Sequence, residues 1–212
     1  MILTAEQLEI KELVHSFAEK EVRPIASEFD RSGEFPFDLY KTACKMQLNC
    51  LDLPEEYGGP GISKVTACIV REELSWGDAG FALSVGANGL GMKPLLIAGT
   101  EAQRRHFADV VTSGGFSAFA LTEPDAGSDA GACRSTAVAV GDEYVLNGHK
   151  CFITNGALAD IYTVVASTDP SKGVKGLTMF MVDRNTPGLS VGKHEDKMGI
   201  RLSNTADVIF ED

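Results

Sequence analysis

The sequence predicts an α+β fold, with an amino-terminal all-α bundle in residues 1–115 and a small antiparallel β-barrel in residues 116–212. Apolar residues in the first half recur at the spacing of one helix face, behind capping pairs such as Thr4 with Gln7. In the second half, β-branched residues alternate with polar ones between turns rich in glycine and asparagine. After Gly115 the spacing of apolar residues changes from that of a helix to that of a strand, which predicts two domains that join there.

Capping and breaking residues divide the helical half into segments. Pro24 is expected to kink the first helix or to begin a new one, because proline cannot continue a helix interior. A second helix should cover about residues 37–48, and the Pro- and Gly-rich stretch 53–61 should break the pattern. The residues predicted to cap helix amino termini are Thr4, Ser63, Asp78 and Thr100.

Strands are expected after Gly115. Gly141-Asp142 predicts one turn, and Asn147-Gly148 predicts a second, since Asn-Gly between apolar runs is the strongest short signal for a hairpin. Further strands are predicted in the segments IYTVVAST, GLTMFMVD, LSVGK and TADVIF.

Composition limits the classes of function. The chain has 212 residues, 44% of them hydrophobic, and a formal net charge of −11. This acidic balance argues against nucleic acid and anionic membrane surfaces as partners, because both favour a basic face. The five cysteines are odd in number and lack a C-x-x-C pair, which argues against a disulfide framework or a zinc site. Since no signal peptide and no apolar run of membrane-spanning length are visible, we expect a cytoplasmic protein.

The stretch FALTEPDAGSDAG, residues 119–131, carries more polar residues than a turn requires. A capped turn between two domains is one interpretation, and a ligand-binding loop is the other. A metal site built from its acidic residues is not expected, because no histidine or further acidic cluster accompanies them. Glu123 and Asp129 are interpreted as carboxylates that brace the loop.

Four stretches, in this order, resemble the acyl-CoA dehydrogenase family of flavoproteins: GTEAQRRHF, ALTEPDAGSDAGA, VLNGHKCFITNG and DKMGIRLSNTADVIFED. The resemblance covers nearly the whole chain. It implies an FAD-dependent enzyme that oxidises acyl-CoA to 2-enoyl-CoA by α-proton abstraction and β-hydride transfer to the flavin. It also implies acyl-CoA as substrate, an electron-transfer flavoprotein as electron acceptor, and a homo-oligomer that is tetrameric in full-length members.

The same resemblance implies which residues hold the cofactor. Thr122 would bond the polar edge of the isoalloxazine ring, and Ser128 would bond the pyrophosphate and also contact acyl-CoA. Many family members have tyrosine in place of Phe119 and tryptophan in place of Phe152, and both exchanges keep an aromatic face. The residues assigned to the cofactor are Phe119, Leu121, Thr122, Gly127, Ser128, Phe152, Ile153 and Thr154.

The chain departs from the family in length. Members are nearly twice as long, and a second helical domain after the barrel supplies their catalytic glutamate. The resemblance therefore assigns no catalytic residue to this chain, and we expect the barrel to be truncated at its end and the chain alone to be inactive. A non-catalytic flavin- or acyl-CoA-binding module remains an alternative, as do an acyl-CoA oxidase or reductase within the family. Small residues in 84–91 suggest an acyl pocket between the helices.

Overall fold

The computed structural model describes residues 2–212, which form seven α-helices followed by a seven-stranded sheet. The helices are α1 (Ala5–Phe17), α2 (Arg23–Ser32), α3 (Phe37–Lys45), α4 (Lys64–Gly77), α5 (Ala79–Gly86), α6 (Asn88–Ala98) and α7 (Glu101–Thr112). The strands are β1 (Ser117–Ala120), β2 (Thr136–Val140), β3 (Glu143–Thr154), β4 (Ile161–Ser167), β5 (Leu177–Asp183), β6 (Leu189–His194) and β7 (Thr205–Phe210). The predicted α+β class, with helices first and a curled sheet second, is confirmed.

The helices begin where the side-chain caps predict. In each case the cap side chain accepts a hydrogen bond from the backbone amide three residues further on, which satisfies one of the unpaired amides of the first turn. Pro24 lies in the first turn of α2, directly after a π-helical turn at Ala18–Val22, so it begins a new helix as expected. The four caps are Thr4, Ser63, Asp78 and Thr100.

The sheet is mixed. Its strands follow the order β1-β4-β2-β3-β7-β6, and β5 pairs with β4. Most neighbours are antiparallel, as predicted, but β1 pairs with β4 in parallel from Ser117 opposite Ile161 to Ala120 opposite Val164. A parallel pair needs a crossover connection, and here the β2–β3 hairpin lies within that crossover.

The expected turn at Gly141-Asp142 is present between β2 and β3. The prediction of a turn at Asn147-Gly148 is wrong. Strand β3 runs straight through both residues, with Gly148 opposite Phe210 of β7. A Cβ on Gly148 would lie 2.1 Å from Ser135 Oγ and 3.0 Å from Ser135 Cα. The glycine therefore permits a close approach of two chain segments and is not required for a turn.

Buried polar side chains join the helices to the sheet. Asn88 of α6 accepts from the Ser117 amide at 2.7 Å and donates to the Tyr40 hydroxyl at 3.1 Å. Asn155, at the end of β3, donates to the Ser84 carbonyl of α5 at 2.9 Å and accepts from the Ser84 hydroxyl. These paired amides fix the sheet against α5 and α6, since a buried polar group left without its partner is costly.

The segment Ala79–Ala98 is apolar enough to cross a membrane by length and composition, with a mean hydropathy of 1.3. In this structure it is two helices, α5 and α6, which pack on α4, α7 and β1. Core helices of proteins that span no membrane pass the same test, so this feature is weak evidence for a span.

Gly148→Ala tests the packing of Gly148 on Ser135. The added methyl group must displace the Ser135 backbone, so we expect the free energy of unfolding to fall by about 1–3 kcal/mol, measured by urea denaturation. Gly199→Ala is the matched control, because a Cβ there meets no atom within 4 Å. Equal stabilities of the two variants would contradict this account of Gly148.

Candidate cofactor site

The structure brings together the two segments predicted to hold the cofactor. Leu121 and Thr122 directly follow β1, while residues 152–154 form the end of β3. The Cys151 amide donates to the Thr122 carbonyl at 2.9 Å, and Lys150 Nζ donates to the Leu121 carbonyl at 3.2 Å. The residues that follow β1 are therefore fastened to the strand that carries Phe152.

A buried ion pair lies next to these two segments. Lys150 Nζ is 2.6 Å from Glu123 Oε1, and the two residues are 0% and 6% exposed. Lys150 sits at an inward position of β3, whereas Glu123 begins the tight turn that its backbone closes with Ala126. The pair joins the loop to the strand from the inside.

Glu123 also braces the chain that leads into β2, as predicted for this carboxylate. It accepts from the Arg134 amide at 2.7 Å, the Ser135 amide at 3.1 Å and the Ser135 hydroxyl at 2.6 Å. The Cys133 thiol lies 3.0 Å from the same carboxylate. Burial alone would raise the pKa of Glu123, but the hydrogen bonds from Cys133, Lys150, Ser135 and the Arg134 amide outweigh it and lower the pKa from 4.5 to about 2.

Phe152 is exposed and backbone-strained. The pairing of β3 with β7 shifts register between Lys150 and Ile153, which is a β-bulge, and Phe152 occupies it with φ at +58°. A left-handed conformation is unfavourable for a residue with a Cβ, and for an aromatic residue it costs on the order of 1 kcal/mol or more. Its side chain is 63% exposed, so packing within the chain does not account for this geometry.

The other predicted residues differ in exposure. Ile153 is 2% exposed and packs in the sheet core, so its side chain does not reach the surface. Phe119, Leu121, Thr122 and Thr154 are half-buried, and Gly127 and Ser128 are exposed.

Gly127 and Ser128 are exposed, and the residues on either side of them form side-chain contacts. A Cβ on Gly127 would meet no atom within 4 Å. On one side, Asp125 forms an exposed ion pair with Arg134 at 2.7 Å, and on the other the Asp129 side chain accepts from the Gly131 amide at 3.1 Å. The second contact agrees with the bracing role predicted for Asp129. Within residues 2–212, no three His, Cys, Asp or Glu side chains form a group able to hold a metal ion.

A sizeable cleft lies elsewhere. It encloses about 620 Å³ between the starts of β3 and β6 and strand β5, with Tyr144, Phe180 and Phe210 among its walls, and it contains none of the predicted cofactor residues. The predicted residues lie outside this cleft and, apart from Ile153, are half-buried or exposed. The strained aromatic residue and the buried bracing network both lie in the segments 121–123 and 150–152, which makes these segments, and not the cleft, the candidate site.

Sequence reasoning missed Lys150 and Asn155. Lys150 could have been suspected from its place in the alternation of β3, where it takes an inward position. Asn155 has φ at +59°, a conformation that asparagine tolerates better than most residues. Small residues in 84–91 serve packing at two positions, since Cβ atoms would lie 2.0 Å from Asp52 Oδ2 at Gly89 and 3.2 Å from Phe107 Cζ at Gly91.

Comparison with known proteins places both halves in one family. Residues 4–115 match the acyl-CoA dehydrogenase N-terminal domain, and residues 118–212 match the acyl-CoA dehydrogenase middle domain. The chain belongs to the acyl-CoA dehydrogenase family. An acyl-CoA dehydrogenase of Bacillus subtilis is 43% identical over 100% of this chain and 56% of its own length. The chain thus spans about half the length of the curated relatives it matches.

Solved structures show the same fold. Butyryl-CoA dehydrogenase from Megasphaera elsdenii superposes with a TM-score of 0.93 at 39% identity, over 100% of this chain and 57% of that one. A glutaryl-CoA dehydrogenase from Mycobacterium smegmatis in complex with FADH2 gives a TM-score of 0.91 at 30% identity, over 99% of this chain and 53% of that one.

The depressed pKa of Glu123 predicts an acid dependence of stability. Because the pKa in the folded chain is about 2 rather than 4.5, the carboxylate contributes stability above pH 4.5 that is lost as the pH falls towards 2. As the pH falls from 5 to 2, the free energy of unfolding measured in urea should therefore decrease more in the wild type than in Glu123→Gln, by on the order of 1–3 kcal/mol.

The matched control is Asp125→Asn, which removes an exposed carboxylate of the same loop. It should follow the wild-type curve. A Glu123→Gln variant with the wild-type acid dependence would show that the ion pair with Lys150 does not hold the charged form.

Proposed function

We propose that the protein binds FAD on the surface formed by Leu121, Thr122 and residues 152–154, and that it serves the oxidation of acyl-CoA to 2-enoyl-CoA. The observation that carries this proposal is Phe152, an exposed aromatic side chain that a β-bulge holds in a left-handed conformation. Strain of this kind persists where the surrounding structure enforces it, and it is concentrated at ligand sites. A planar ring stacked on Phe152 would give the exposed face a partner.

Two neighbouring features fit the rest of the cofactor. Thr122 is half-buried, and its carbonyl accepts from the Cys151 amide, so its backbone is held next to β3. Gly127 and Ser128 lie exposed in the same loop, where backbone amides and a hydroxyl can bond an anionic pyrophosphate. The solved structure of a relative with FADH2 supports the same cofactor for this chain.

When bound, FAD supplies an acceptor for the hydride that leaves the β-carbon of the acyl group. The residues of this chain would hold and orient the cofactor: Phe152 and Thr154 would face the ring, Thr122 would bond its polar edge, and Ser128 would contact both pyrophosphate and acyl-CoA. The family resemblance places the base for the α-proton outside residues 2–212. The relatives include a butyryl-CoA dehydrogenase and a glutaryl-CoA dehydrogenase, which supports a short acyl group as substrate.

We infer an electron-transfer flavoprotein as electron acceptor, a homo-oligomeric assembly and a cytoplasmic location. The family to which the chain belongs supports the first two, and the acidic composition agrees with a partner other than nucleic acid.

FAD titration of folded variants of the complete gene product tests the site. Thr122→Val keeps the side-chain volume but removes one hydrogen bond, so the dissociation constant should rise by up to about tenfold, equivalent to about 0.5–1.5 kcal/mol. Ser128→Ala should weaken FAD binding and raise KM for butyryl-CoA together. Asp125→Asn, on the exposed side of the loop, should change neither.

A loop that merely joins two domains predicts another pattern. Thermal stability would fall in Thr122→Val and Ser128→Ala, while FAD affinity per folded molecule stayed at the wild-type value. That result would refute the cofactor site.

A further inference from the structure

We infer that Lys150, through its contacts with Leu121 and Glu123, is a positioning residue that sets the flavin-facing edge at Thr122. This inference rests on the proposed function and adds a residue to it. Lys150 is fully buried and does not reach the surface on which the cofactor would lie, so any effect on the flavin must pass through the residues it holds.

Three consecutive residues of the loop are held by two consecutive residues of β3. Lys150 Nζ donates to the Leu121 carbonyl at 3.2 Å and to Glu123 Oε1 at 2.6 Å. Between these two contacts, the Cys151 amide donates to the Thr122 carbonyl at 2.9 Å. Thr122 thus lies between two residues that accept from the same ammonium group. Its own carbonyl is bonded as well, so its backbone is held in place.

The same short segment also fixes the aromatic face. Phe152 is two residues after Lys150, within the bulge where β3 loses register with β7. One strand segment therefore sets both the ring-stacking group and the position of the hydroxyl group. The geometry of a binding site must be held within fractions of an ångström, and this arrangement does so with buried rather than exposed contacts.

Stability alone does not explain a buried ion pair here. Removing two charges from water is expensive, and apolar side chains of similar volume often replace such pairs without loss of stability. Lys150 does what an apolar side chain cannot, because it donates to a carbonyl of the loop and to a carboxylate at the same time. What the pair provides is a defined loop position.

The ion pair of Lys150 with Glu123 is neutral as a whole, so both charges can be removed together in one variant. Lys150→Met combined with Glu123→Gln leaves the net charge of the site unchanged and buries no lone charge. It removes the donor of the Leu121 carbonyl, so any remaining effect on the flavin is positional. The matched control is Lys172→Met combined with Asp169→Asn, which removes an exposed ion pair of 2.7 Å from the loop after β4.

The experiment is carried out on the complete gene product, with FAD affinity per folded molecule and the visible spectrum of the bound flavin as readouts. In the Lys150→Met/Glu123→Gln variant the dissociation constant for FAD should rise about threefold to tenfold, and the flavin absorption bands should shift. The control variant should match the wild type in both. Lys150→Met alone should show at least the same loss, and if it does not fold, the double variant decides.

The outcomes separate this inference from the proposed function. Wild-type affinity and spectrum in the double variant, together with weaker binding in Thr122→Val, would overturn the role of Lys150 while leaving the FAD site in place. A wild-type protein that binds no FAD would overturn both. A double variant with lower thermal stability and unaltered flavin would show that the pair has only a structural role.

Discussion

The ion pair between Glu123 and Lys150 is the interaction on which the arrangement of the candidate site depends. Glu123 receives bonds from Lys150, Ser135, the Arg134 amide and the Cys133 thiol, so one carboxylate joins the loop after β1, the entry to β2 and strand β3. Three segments that are distant in sequence meet at a single buried charge. An unpaired charge at this depth would be strongly destabilising, so none of the three segments can move away alone.

Around this centre, the fold sets the site between the helical half and the sheet. Asn155 follows the predicted flavin-facing segment directly and bonds Ser84 of α5 through both atoms of its amide. Asn88 ties α6 to the first residue of β1. The end of β3 is therefore tied to α5 and the start of β1 to α6, so a change in the packing of these helices would alter the site.

Local features of the fold could be predicted from sequence, because their causes are local. The caps at Thr4, Ser63, Asp78 and Thr100 depend on residues three positions apart, and the hairpin at Gly141-Asp142 depends on the φ angles of its own turn. The Asn147-Gly148 prediction failed because Gly148 is needed for its close contact with Ser135, which lies in the segment just before β2. The parallel pairing of β1 with β4 is equally non-local.

In the candidate site, too, local features could be predicted from the sequence and non-local ones could not. The residues of the loop left a capped turn and a ligand-binding loop both open, but Glu123 was correctly interpreted as a brace. Its partner Lys150 was missed, since the sequence alone does not show which lysine of a strand is buried against which carboxylate. The strain at Phe152 likewise arises from a register shift between β3 and β7, which no local pattern encodes.

The central claim is that the surface bearing Thr122 and Phe152 holds a flavin. A crystal structure of the complete gene product with FAD tests it most directly. The account predicts the isoalloxazine ring against the Phe152 side chain, with its polar edge within hydrogen-bonding distance of the Thr122 hydroxyl. A flavin bound in the cleft beside Tyr144 and Phe180, or anywhere away from β3 residues 152–154, would contradict it.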